Sequence, residues 1–139
     1  MSYIRRLDKE ETIRAAKREL NDFADLVEVL SPHPFAELKA VNYQILIGSN
    51  GFINYDQKNL KGIERREEQK KEIEAVINSL NCLNYDQIEI LYMKHLQKMS
   101  MDEIAALMEI SNSSLYRKMK NAYVKFAIAH GIEVFIDAT

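Results

Sequence analysis

One cysteine, two prolines and four glycines stand in 139 residues, and no apolar run approaches the length of a membrane span. Each scarcity excludes something. The lone Cys82 cannot close an intramolecular disulfide, and no charged-then-apolar leader precedes a cleavage site, so an intracellular, cytoplasmic chain is expected. So few glycines and prolines exclude collagen-like repetition and low complexity, and they favour helix. No phosphate-cradling glycine loop, dinucleotide fingerprint or zinc-protease signature occurs. A formal net charge of −2 excludes a polycation that binds nucleic acid or anionic lipid indiscriminately; any such binding must come from local segregation of charge. What is present is the composition of a soluble globular protein, 47% hydrophobic and 29% charged, long enough to bury one core.

Asp8 with Glu11 three residues on has the spacing of a capping box and predicts a helix running to Leu30. Ile13, Ala16, Leu20, Phe23, Val27 and Leu30 alternate spacings of three and four, an a/d seam that suits either self-association or packing along a bundle within the chain. The SPHP run, Ser31 to Pro34, then ends the helix, because proline lacks an N–H and pushes its predecessor out of the α region. Residues 35–62 read as a loop-rich connector with short strands. Asn50-Gly51 between apolar flanks is a hairpin signal there, although the run from Phe35 also suits a helix. Helical periodicity returns from Ile63 to Leu80, with Ile73, Val76, Ile77 and Leu80 on one face and the mixed charges from Arg65 to Lys71 on a solvated one.

The final third is denser in signals. Asn84 with Gln87 opens a helix carrying Ile88, Leu91, Tyr92 and His95 to Leu96, and Ser100 with Glu103 opens another carrying Ile104, Leu107 and Met108. After a break at Glu109-Ile110, Ser111 is placed to N-cap a longer helix with Leu115, Met119, Ala122, Tyr123 and Phe126 inward, and Gly131 to end it in a left-handed cap. A two-turn helix, a three-residue turn and a second helix rich in small polar and basic residues is the plan of a helix-turn-helix. Ile104, Ala105, Leu107, Ile110, Leu115 and Met119 would form its core. The second helix would then present Ser111, Asn112, Ser113, Tyr116, Arg117 and Lys120, with Ser114 and Lys118 beside them. Its free N-terminal N–H groups favour phosphate, Asn and Arg can contact base edges in pairs of hydrogen bonds, and Lys and Tyr can reach the backbone. The plainer alternative is a basic amphipathic helix whose lysines only solubilise the surface.

The stretch LNYDQIEILYMKHLQKMSMDEIAALMEISNSSLYRKMKNAYVKFAIAHG resembles the C-terminal part of the autolysin-regulator (ArpU-like) phage proteins and is more distantly similar to region 4 of bacterial sigma factors. SMDEIAALM matches the supporting helix, SNSSLYRKMKNA the recognition helix and KFAIAHG the ending, and the resemblance covers residues 63 to 131. It implies a phage or prophage late-gene activator of packaging and lysis. One departure stands out: Glu109 occupies the turn position where such motifs often have glycine to take a positive φ.

Other chemistry finds little support. His33, His95 and His130 are scattered, with neither Cys82 nor carboxylates at a ligand spacing, so no metal site, no cofactor and no catalytic residue is expected, and the chain is not read as an enzyme. His95 reads as a packed or capping histidine and Cys82 as a small buried hydrophobe. Asp86, Asp102 and Glu103 lie in first helical turns, where the helix dipole accounts for them. The resulting expectation is all-α: a helical bundle with an N-terminal long helix and a C-terminal helix-turn-helix. Residues 1–62 form the helix, connector and oligomerisation region, and 63–139 the DNA-binding domain. Double-stranded DNA is the expected partner, with RNA polymerase, a homo-oligomer and no membrane; the N-terminal seam or the Ile73 to Leu80 face would supply the contact between copies. A small terminase-like packaging subunit and a helical protein-interaction module that never touches DNA are the rival readings.

Overall fold

The computed structural model describes residues 6–30 and 63–136. The readings made for residues 31–62, including the SPHP stop and the Asn50-Gly51 hairpin, lie outside the described residues, as do the side chains of Leu30, Arg65 and Arg66. Five α-helices make up the described fold: α1 (Lys9–Leu30), α2 (Ile63–Leu80), α3 (Tyr85–Leu91), α4 (Met101–Met108) and α5 (Asn112–His130). A π-helical turn, Tyr92–Leu96, extends α3. The fold is all-α, with one addition that local sequence did not announce. Strands β1 (Arg6–Leu7) and β2 (Phe135–Ile136) pair antiparallel, Arg6 opposite Ile136 and Leu7 opposite Phe135.

The local signals hold at most helix ends. Asn84 and Gln87 form a full capping box, as do Ser100 and Glu103, each side chain satisfying a backbone N–H that the first turn leaves free. Gly131 ends α5 at φ 75°, with Ile132 N–H donating to Ala127 O at 2.9 Å. At α1 only half of the expected box forms. Asp8 Oδ1 accepts from Glu11 N–H at 3.1 Å, but the Asp8 N–H is committed to Val134 O at 2.7 Å, and the Glu11 carboxylate pairs with Arg14 instead. Thr12, fully buried, adds to this latch: its hydroxyl donates to Val134 O and accepts from Val134 N–H.

The α1 seam packs within the chain. Ala16, Leu20, Phe23 and Val27 are buried and Ile13 is half-buried, all in the core that also holds Ile73, Val76, Ile77 and Leu80 from α2 and the inner face of α5. Helix α1 lies chiefly along α5, and α2 touches both. Neither the seam nor the α2 face is therefore exposed to supply a contact between copies, contrary to the expectation above. Two polar bridges reinforce the docking of α1. His95 Nδ1 lies 2.8 Å from Asn21 Oδ1 and its Nε2 2.7 Å from Tyr123 Oη, which joins α1, the π turn and α5. Ser79 Oγ lies 2.8 Å from His130 Nδ1, and His130 Nε2 3.4 Å from Glu19 Oε1, which joins α2, α5 and α1.

Candidate nucleic-acid interface

The turn between α4 and α5 sets the geometry of the site. Glu109 adopts φ 57° and ψ 43°, the left-handed conformation that glycine takes most easily. Its N–H donates to Ala106 O at 3.2 Å, and Ile110 N–H donates to Ala105 O at 3.1 Å, so a Schellman cap forms without the glycine. Backbone strain of about 1 kcal/mol is carried by this residue instead. Two residues later Ser111, extended at φ −70° and ψ 157°, caps α5 by accepting from Ser114 N–H at 3.1 Å. Ala105, 4% exposed, allows the close approach of the two helices, and Ile104 and Leu115 are fully buried between them. Leu107 departs from the expected core: it is 64% exposed, on the outer side of α4. With only about two turns, α4 reaches the core through the Ile104–Ala105–Met108 side, and the crossing leaves Leu107 facing away.

Along α5 the two faces separate cleanly. Leu115, Met119, Ala122, Tyr123 and Phe126 are locked inside, and none is more than 4% exposed. Opposite them Ser113, Tyr116, Arg117 and Lys120 are exposed, and the helix carries no carboxylate. Ser111 and Asn112 are exposed at its start, whereas Ser114 is half-buried and spends its N–H on the cap. Asn112 Nδ2 donates to Asp102 Oδ1 at 3.0 Å, which fixes the amide and leaves its carbonyl oxygen free to accept. Lys120 Nζ sits 4.6 Å from the Tyr116 ring centroid, a cation–π contact that positions the ammonium group without neutralising it. Lys118 is exposed, but two residues turn it about 200° around the helix from Lys120, so it projects from the other flank.

The structure adds cations that a reading of single segments misses. Lys17 of α1 and Lys94 of the π turn lie beside the Tyr116 and Lys120 flank of α5, and Lys98, just past the π turn, lies with them beside Tyr123. They come from separate elements, so no contiguous run of charge marks them. Nearby, His95 is 5% exposed, and its pKa is lowered from 6.5 to about 4, first by burial and then by the charges of Lys94, Lys98 and Lys17. Burial likewise raises the Tyr123 hydroxyl well above its ordinary range, so the pair is a neutral hydrogen-bonded bridge.

The remaining reactive groups do other work. The Ser79–His130–Glu19 chain has the residue types of a hydrolytic triad, but Ser79 Oγ donates to Ala75 O at 3.0 Å in the last turn of α2 and is buried at a three-helix contact. That is a packing arrangement, since the hydroxyl has no open face to attack from. Cys82, expected to be buried, is exposed in the turn after α2, where its thiol donates weakly to Asn78 O at 3.6 Å; ending α2 at Leu80 turns the chain outward there. Among the described residues no group of three or more His, Cys, Asp or Glu side chains could hold a metal ion, and no helix is long and apolar enough to cross a membrane.

Residues 73–126 match the family model of sigma-70, region 4. The match begins inside α2, takes in the turn and both helices of the helix-turn-helix, and ends at Phe126, under half of the chain in all. This segment is therefore similar to a sigma region 4 helix-turn-helix, and α1 lies outside the similarity. No curated protein and no solved structure matches the chain.

Proposed function

We propose that this chain is a sequence-specific reader of double-stranded DNA that regulates transcription. One observation carries the reading: in the segment similar to sigma-70 region 4, α5 has one face fixed in the core and a carboxylate-free outer face bearing Ser113, Arg117 and Lys120. A helix held this way can enter a major groove as a rigid body. Arg117 then reads a guanine edge, the Asn112 carbonyl accepts from a base amino group, and Ser113 allows close approach. Lys120, Tyr116 and Lys118 take phosphates, as do the free N–H groups that follow Ser111.

One such helix covers few base pairs, so the reading entails two copies on a two-fold site or help from RNA polymerase. A homo-oligomer must use a surface other than the α1 seam or the α2 face, because both are inside the core. The resemblance of residues 63 to 131 to the autolysin-regulator phage proteins supports a finer role, activation of late genes for packaging and lysis. Two variants test base reading against backbone binding. Arg117→Ala is expected to weaken binding to the cognate site by about 1–3 kcal/mol and to random duplex far less, whereas Lys120→Ala weakens both alike. Equal loss in Arg117→Ala removes base reading from this helix. A wild-type chain that binds no duplex at low salt rejects the proposal and leaves a protein-interaction module.

A further inference from the structure

Beside the outer face of α5 runs a cleft that three elements build together. Lys17 of α1, Lys94 of the π turn and Lys120 of α5 surround Tyr116 and Tyr123 in one half, and Lys17, Lys94 and Lys98 continue it past Tyr123 in the other. No carboxylate lines either half. None of the four ammonium groups forms an ion pair with a carboxylate among the described residues. Positive charge converging this way raises the local concentration of anions in the cleft. Two of the cations are also held in place: Lys17 Nζ lies 5.5 Å from the Tyr123 ring centroid, and Lys120 Nζ lies over Tyr116. The elements that carry them are fixed to one another by the core and by the His95 bridge to Asn21 and Tyr123.

The chemistry called for is an extended anion with several oxygens, and the position of the cleft selects which. It opens along the Tyr116 and Lys120 flank of α5, immediately beside the face that enters the groove, where a duplex would bring its backbone. We infer that Lys17, Lys94 and Lys98 act with Lys120 as a clamp on the DNA phosphate backbone, so that the N-terminal helix is part of the DNA interface. The inference rests on the DNA reading proposed above. It goes beyond that reading because Lys17 lies outside the segment similar to sigma-70 region 4, on a helix otherwise explained by packing.

The test is the salt dependence of random-duplex binding by the full chain, by a Lys17→Gln variant and by a Lys17→Gln, Lys94→Gln, Lys98→Gln triple variant. Each lost phosphate contact lowers the log–log slope by about 0.9, so the expected reduction is about 0.9 for the single variant and about 2.7 for the triple. Circular dichroism checks folding, and the exposed Lys17 keeps the single variant informative if the triple one unfolds. An unchanged slope in the folded variants overturns the clamp, while α5 is still judged separately by Arg117→Ala. Loss of thermal stabilisation by inorganic pyrophosphate with the duplex slope unchanged also overturns it, since the cleft then serves a free anion. A wild-type chain with no salt-sensitive duplex binding overturns both proposals.

Discussion

Acidification should loosen α1 from the helix-turn-helix through a single side chain, His95. The ring is 5% exposed, with Nδ1 against Asn21 Oδ1 and Nε2 against Tyr123 Oη. A neutral imidazole satisfies both neighbours when Nδ1–H donates to Asn21 and Nε2 accepts the Tyr123 hydroxyl proton. A proton on Nε2 would place a buried charge near Lys94, Lys98 and Lys17, which is why the pKa falls from 6.5 to about 4. The unfolded chain therefore takes up this proton near pH 6.5 and the folded chain only near pH 4. Stability is full above the first value and is lost progressively as pH drops toward the second. The loss reaches about 2 kcal/mol at about pH 5 and about 3 kcal/mol below pH 4. Urea denaturation at about pH 7.5 and about pH 5 measures it in a window where most carboxylates stay ionised. His95→Gln keeps a neutral donor and acceptor without the titration. The variant should be less stable at the higher pH but should lose much less on acidification, and His33 and His130 cancel in the comparison. Equal stability of the wild type at both values, or an equal fall in the variant, refutes the reasoning.

Two further perturbations follow from the packing. Glu109→Gly should stabilise the protein by about 1 kcal/mol, because glycine takes φ 57° without the Cβ penalty; an unchanged or lower Tm would show the turn to be unstrained. Leu20→Ala, at a position 1% exposed, should cost about 2–5 kcal/mol and lower one cooperative transition for the whole fold. Two separate transitions would show that α1 unfolds independently of α5.

What was legible in the sequence was local. The boxes at Asn84 and Ser100 and the cap at Ser111 depend on side chains three residues from the backbone groups they satisfy, the stop at Gly131 depends on glycine's freedom to take a positive φ, and all four form. The inner face of α5 was legible because a long helix has time to show its period. Five features escaped because distant residues decide them. The Asp8 box is half-formed because Val134 claims its N–H, and the strand pair joins the two ends of the described chain. The π turn at Tyr92–Leu96 aims His95 at residues of α1 and α5 that no local pattern connects. Leu107 has the right spacing for a core position, but in so short a helix the angle of packing decides, and it is exposed. The face of α5 was visible as a basic run, whereas the lysine cleft beside it exists only once three elements meet.

The central claim is that α5 reads DNA, and the most direct measurement is binding of the full chain to fragments of the DNA around its own gene. Salt is titrated, with random duplex as competitor. Lys118 and Lys120 with Lys17, Lys94 and Lys98 give about five phosphate contacts per subunit and a log–log slope on the order of −4.5, and about twice that for a dimer. The account predicts one fragment that outlasts the competitor with a slope of this size. Failure to retain any duplex even at low salt would contradict it.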